Sequence, residues 1–217
     1  MSLREKSAMR EESRLLEGFT FQEWPKTPRL FREIVITEKI DGTNAAIHIR
    51  ENEGLAGTYS IAAQSRRRLI TPTNDNYGFA AWVHANASDL IHILGPGSHF
   101  GEWWGQGIQR RYGMETRSFS LFNVIRWGTQ TDEDGTTMKS RAEQSNLVDQ
   151  VDAVPILYRG VFDQDVIDEQ LKELLESGSY AAPGFMNPEG ICVYHTQTRS
   201  VFKVTLDNHD AGKWAAV

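Results

Sequence analysis

One stretch constrains this chain more than any other: VITEKIDGTNAAIHI, residues 35–49. Two apolar runs, rich in β-branched and small residues, flank a polar elbow, Lys39-Ile40-Asp41-Gly42-Thr43-Asn44. The runs alternate roughly with period two and read as strands. Asp-Gly between them is a strong signal for a tight turn. Taken alone, the elbow is a turn with a solvated lysine on its rim. Yet that lysine sits at a strand end, followed by a carboxylate, a glycine and two side chains that hydrogen-bond.

The same reasoning extends along the chain. GTYSIAAQS predicts the next strand, so the first third is antiparallel β. From Phe79 to Leu94 the apolar spacing turns helical, and Gly95-Pro96-Gly97 stops it. HFGEWWG, the apolar run FSLFNVIRW over 119–127 and VPILYRG over 154–160 predict strands; TQTDEDGTT is a polar hairpin or loop. Asp163 caps a predicted helix over 164–177, with a buried stripe of Val166, Ile167, Leu171, Leu174 and Leu175, ended by Gly178. ICVYHT and SVFKVTL form an expected antiparallel pair near the end. The sum is an α+β domain of mostly antiparallel sheets flanked by helices, over residues 28–217. Residues 1–27 read as an N-terminal extension, with a short charged helix or loose tail over residues 2–17.

A single cysteine, Cys192, excludes an internal disulfide and a Cys-based zinc site. No segment approaches the roughly 20 apolar residues of a membrane span, and the charged N-terminus has no signal-peptide core. The expectation is a cytoplasmic protein with no membrane partner. The formal charge of −6 argues against a general nucleic-acid coat. The average hides a pattern, however. Arg66-Arg67-Arg68 and Arg110-Arg111 are basic clusters in the first half, whereas acid concentrates at 132–134 and 163–176. The six histidines have no convincing zinc spacing.

Five further segments follow the elbow in order: Ser65-Arg66, Phe100-Gly101-Glu102-Trp103-Trp104-Gly105, Phe119 to Phe122, Glu189-Gly190-Ile191 and Phe202-Lys203-Val204. With Lys39-x-Asp41-Gly42 they resemble the motifs of the covalent nucleotidyltransferases, the polynucleotide ligases and mRNA capping enzymes. EKIDGTN and GEWWGQGIQRRYG resemble the RNA ligase 2-like branch of phage and bacteria in particular. The resemblance covers about residues 28–207, and ordered agreement at six places is far more specific than any one of them.

The residues also make chemical sense by themselves. A phosphoramidate forms only from a neutral amine, and about one free lysine in 2,500 is neutral at pH 7. Shifting that balance by about three pH units is worth about 4 kcal/mol, which burial, a nearby cation or a metal can supply. Lys203, on a strand flanking the site, is a second cation that can neutralise departing pyrophosphate. Asp41, Glu102 and Glu189 are the candidate oxygen donors for Mg²⁺ or Mn²⁺.

The resemblance implies the remaining roles. Lys39 would form lysyl-AMP with ATP, then pass AMP to a 5′-phosphate end, which a 3′-hydroxyl attacks. Glu189 is nearest to a metal role, Asp41 lies beside the reacting phosphate and Glu102 near the ribose. Phe122 would stack on the base, and Glu38 would meet the adenine edge through its backbone. Gly42 belongs to the lysine motif. Arg66, or else Arg67 or Arg68, would touch ribose or phosphates, and Asn44 would serve later steps. Arg67, Arg68, Arg110 and Arg111 are the expected nucleic-acid contacts, by attraction to phosphate. The implied partner is RNA, as a nicked duplex or an RNA/DNA hybrid. With about ten residues after the last motif, no appended OB-fold is expected, which leaves room for a protein partner. Thr205 departs from the K-x-K form of the last motif, with Lys213 downstream, and Asn123 stands where aspartate is frequent. A DNA ligase, a capping guanylyltransferase and a degenerate nucleotide- or RNA-binding module remain alternatives.

Overall fold

The two strands of the opening stretch do not pair with each other. The computed structural model describes residues 17–128 and 137–207. In it, β1 (Glu33–Lys39) lies in a four-stranded sheet of order β10-β9-β1-β8, and β2 (Thr43–Glu51) lies in a six-stranded sheet of order β4-β3-β2-β5-β6-β7. The elbow is thus a crossing between sheets and not a hairpin turn. The other strands are β3 (Tyr59–Ser65), β4 (Leu69–Ile70), β5 (Gly97–Gly105), β6 (Arg117–Leu121), β7 (Val151–Ala153), β8 (Ile156–Val161), β9 (Gly190–His195) and β10 (Ser200–Thr205). All pairings are antiparallel except β6 with β7.

Each sheet covers one face with helix. Ala45, Ile47 and Ile49 of β2, with Trp103, Phe119 and Leu121, pack against α1 (Phe79–Ala85) and α2 (Ala87–Leu94). Ile34 and Ile36 of β1, with Ile191 and Val193, pack against Ile167 and Leu174 of α5 (Gln164–Ser177). Each fully buried Ile, Leu or Phe among them contributes about 1.5–3 kcal/mol. The remaining two faces meet across a third cluster that includes Val35, Ile40, Trp104, Tyr112 and Val124. Where this cluster stops, the faces part into a cleft.

Three sequence expectations change. The helix over 79–94 is two helices, broken at Asn86, where φ is −112° and ψ 22°. The Asn86 side chain donates to Trp82 O at 2.8 Å, a local bond that competes with helix continuation. The apolar run 119–127 leaves the strand after Leu121. Asn123 accepts from Arg126 N and starts a short helix, α3 (Val124–Trp127). In α5, Asp163 caps as expected and Gly178 follows the last turn, but Leu175 is 58% exposed and lies off the buried stripe. A further helix, α4 (Met138–Glu143), opens on a Thr137–Ser140 capping box. The expected helix over 2–17 and the loop TQTDEDGTT lie essentially outside the described residues, and Lys213 wholly so.

Candidate active site

The lysine stands at the crossing because strand alternation and register put it there. Val35, Thr37 and Lys39 share the cleft face of β1, whereas Ile34, Ile36 and Glu38 share the other. Lys39 pairs in register with Gly190, and Gly190 with Thr205; the next row is Thr37, Cys192 and Lys203. Lys203 therefore lies on the same sheet face as Lys39, two strands away. Lys39 Nζ makes an ion pair with Glu189 Oε2 at 2.5 Å.

Glu102 fastens the elbow from the opposite sheet. Its Oε1 accepts from Gly42 N at 3.1 Å and its Oε2 from Asn44 Nδ2 at 2.8 Å. The residue is 7% exposed, and that burial pushes its carboxyl up to about 7; the Asn44 bond, Lys39 and the Gly42 N–H work against the shift. Gly42 is required by space: a Cβ there would stand 2.5 Å from Trp103 O and 2.7 Å from Trp104 Cβ. Asp41 receives Arg110 Nε on its Oδ2 at 3.2 Å, and its N–H donates to Tyr112 Oη at 2.8 Å.

Arg110 differs from its expected role as a surface phosphate contact. Its side chain is 15% exposed and spans the cleft, bonding Asp41, Asn187 O and Oδ1, Pro188 O and Asp207. Every guanidinium nitrogen already has a protein partner. Arg111 beside it is exposed, in the left-handed region with φ 61°. Glu38 turns its carboxylate away from the cleft. Ser179 Oγ donates to it at 2.6 Å, and Tyr180 N and Ala181 N each at 2.8 Å. Burial raises its carboxyl above the usual range despite these donors. Its side chain thus ties the loop at 179–181 to the lysine strand.

Phe122, 44% exposed, borders an apolar cavity of about 350 Å³ whose other walls include Thr37, Cys192, Tyr194 and Val201. The dimensions and apolar walls suit a nucleobase. Arg66, Arg67 and Arg68 are exposed in the β3–β4 turn. The β2–β3 register ends at Ala45 and Ser65, and Arg66 is the first residue of the turn beyond it. Arg68 Nη1 instead donates to Asn74 O at 3.1 Å.

Sequence reasoning missed Cys192, Tyr112 and the tie made by Arg110. Alternation along ICVYHT groups Cys192 with Tyr194, but only packing tells which face meets the cleft. Burial raises the Cys192 thiol and the Tyr112 phenol above their ordinary ranges. Among the described residues, no group of three His, Cys, Asp or Glu side chains converges as a ready-made metal cage. The acidic oxygens present suit Mg²⁺ or Mn²⁺, which often take only one or two protein carboxylates and complete their shell with phosphate and water.

The RNA ligase family model matches residues 32–205, which include every motif above. The chain belongs to the RNA ligase family. Among curated proteins none matches this ligase-family chain. Among solved structures it is similar to variants of Naegleria gruberi RNA ligase. One with AMP and Mn is 18% identical, with TM-score 0.51, covering 81% of this chain and 50% of that one. One with ATP and Mn is 17% identical, with TM-score 0.51 and coverages of 81% and 50%. An apo form is 19% identical, with TM-score 0.50 and coverages of 80% and 49%. At such identities the likeness shows the fold, an α+β architecture shared with these RNA ligases. The chain spans about half the length of the solved ligases it matches. No helix among the described residues is long and apolar enough to cross a membrane.

Proposed function

We propose that this chain is an ATP-dependent RNA ligase that joins 5′-phosphate and 3′-hydroxyl ends through a lysyl-AMP intermediate. The observation that carries the reading is Lys39 at the sheet crossing, paired with Glu189 beside the apolar cavity under Phe122. Solved members of similar fold hold ATP or AMP with Mn, which supports the choice of nucleotide and cation.

The base enters the cavity under Phe122, which leaves its phosphates toward Lys39. Glu189 is the nearest acceptor for the proton that Lys39 Nζ must lose before it attacks. The new N–P bond forms as the bond from the α-phosphorus to pyrophosphate breaks. Lys203, two strands away on the same face, offsets charge on the departing group. Glu102 and Gly42 hold the elbow rigid, so Lys39 is aimed before substrate arrives. Glu189 and Asp41 are the residues that would hold Mg²⁺ or Mn²⁺, and such an ion would withdraw charge from the phosphate oxygens. In the second step AMP passes to a 5′-phosphate, and in the third a 3′-hydroxyl displaces it. Arg66, with Arg67 and Arg68 beside it, supplies phosphate attraction at the cleft mouth; Asn44 stands between this edge and the elbow.

The test is incubation with α-labelled ATP or GTP and a divalent cation, followed by sealing of nicked duplex RNA, RNA/DNA hybrid and DNA. The expected result is labelling by ATP alone, lost in Lys39→Ala, with sealing of RNA ends. Labelling by GTP alone points to a guanylyltransferase, sealing confined to DNA points to a DNA ligase, and no label with either points to a binding module. Label that survives Lys39→Ala refutes the nucleophile.

A further inference from the structure

We propose that Phe100, framed by His48 and Gln64, is the seat for a nucleotide of the RNA strand, separate from the base cavity of the bound ATP. The inference rests on the ligase reading above and adds a residue-level site to it.

Alternation puts Asn44, Ala46 and His48 of β2, and Ser98, Phe100 and Glu102 of β5, on the cleft-facing side of the six-stranded sheet. In the row of Asn44 and Glu102, Glu102 is buried and tied to the elbow, whereas Asn44 is exposed. In the rows beyond it, Phe100 and Ser98 are exposed and His48 and Gln64 partly so, with Ala46 buried among them. In the first of these, Gln64, Ala46 and Phe100 stand side by side on β3, β2 and β5. Because the neighbour of Phe100 is an alanine, the ring rises above the surface on that side and remains 53% exposed. On its other side the chain reaches Phe122, whose N–H donates to Phe100 O at 3.0 Å. The two residues with half-exposed rings are thus joined through their backbones; Phe122 lines the base cavity and Phe100 does not.

Phe100 has a polar neighbour in His48. His48 approaches it edge-on, with ring centres 6.2 Å apart at 87°. The imidazole is fixed at both nitrogens, 2.8 Å from Ser98 Oγ and 3.0 Å from Gln64 Oε1. An exposed, positioned aromatic ring amid hydrogen-bonding side chains is the chemistry of a stacking platform for a base. It is too small and too polar a surroundings for a protein-docking core. The occupant is set by position and charge. The platform continues the cleft that holds Lys39, and the exposed turn of Arg66, Arg67 and Arg68 begins one residue after Ser65, beside the same rows. A strand whose base stacks on Phe100 can thus rest its phosphates near these arginines.

The test uses the full chain and the variants Phe100→Ala and Phe100→Trp. Three quantities are measured: anisotropy of a fluorescent single-stranded RNA with a free 3′-hydroxyl, labelling of the protein by α-labelled ATP, and sealing of pre-adenylylated RNA. Phe100→Ala is expected to weaken RNA binding by about tenfold, the scale of one lost base–aromatic stack. It slows sealing in proportion and leaves labelling unchanged, and Phe100→Trp restores binding. Unchanged RNA binding in Phe100→Ala overturns the proposal. So does loss of labelling, which would place the ring in the ATP cavity, or a wild-type chain that binds no RNA. Failure of the ligase reading is recognised separately, as a wild-type chain that takes no label from ATP.

Discussion

Glu102 shows how one side chain can serve geometry and remain titratable. Both its oxygens are bonded to the elbow, yet burial moves its carboxyl up to about 7. A carboxyl raised in the folded state stabilises the fold when protonated. That contribution is fully present below about pH 4.5 and is lost as the pH rises through about 7. The shift corresponds to about 3 kcal/mol across this window. The wild-type chain should therefore melt progressively earlier from pH 5 to pH 8. Glu102→Gln, which cannot ionise, should show a shallower fall. Parallel curves for the two proteins would refute the assignment. The sequence marked Glu102 through the motif Phe-Gly-Glu-Trp-Trp-Gly, but its partners at Gly42 and Asn44 lie about 60 positions away and emerge only from the β2–β5 register.

At the scale of elements, the loop between β5 and β6 does what no strand in the fold does. Gln109, Arg111 and Tyr112 all have left-handed φ, which costs about 1–3 kcal/mol at each non-glycine residue. That expense is offset by two side chains which the loop delivers. Tyr112 packs between Trp104 and Phe185 and meets the Asp41 amide, and Arg110 links the elbow to the segment preceding Glu189. Arg110→Ala should slow lysine labelling by at least about tenfold, because Asp41 and the segment leading into Glu189 lose their common tie. It should also lower stability by about 3 kcal/mol, the scale for removing one partner of a buried ion pair. Arg110→Lys, with one point charge in place of a fork, should recover labelling only in part. Single-turnover labelling beside a thermal melt checks this. Labelling at the wild-type rate in a folded Arg110→Ala protein would leave the loop without this role. The strand and helix periods were legible nearly everywhere, and failed where asparagine intervened. Asn86 and Asn123 each bond a nearby backbone group, which no hydrophobic period records.

Across the whole molecule, a net charge of −6 opposes nucleic acid, so attraction must be local. On the proposed ligase reading, the exposed Arg66–Arg68 turn would meet that need and Arg110 would not, because Arg110 is already paired inside the protein. RNA affinity should fall steeply with salt. Each arginine of the turn that contacts phosphate, changed to alanine, should make the log–log slope shallower by about 1. Arg110→Lys should leave that slope unaltered. Titrations between low and moderate salt separate the two groups, and an unchanged slope in the triple alanine variant would remove the turn from the RNA path.

By itself the sequence determined the α+β class, the strands on either side of the elbow, the α5 helix with its Asp163 cap, and the ordered motifs from which the site residues are proposed. It could do so because periodicity, capping and ordered motifs are local properties of a chain. Tertiary structure alone decided that β1 and β2 enter different sheets. It also decided which face of each strand meets the cleft, that Arg110 points inward and Glu38 away, and that Cys192 lines the cavity under Phe122. The physical reason is that the faces of a strand differ only in what packs against them. At the cleft those partners come from the opposite sheet, brought together by pairings that span much of the chain.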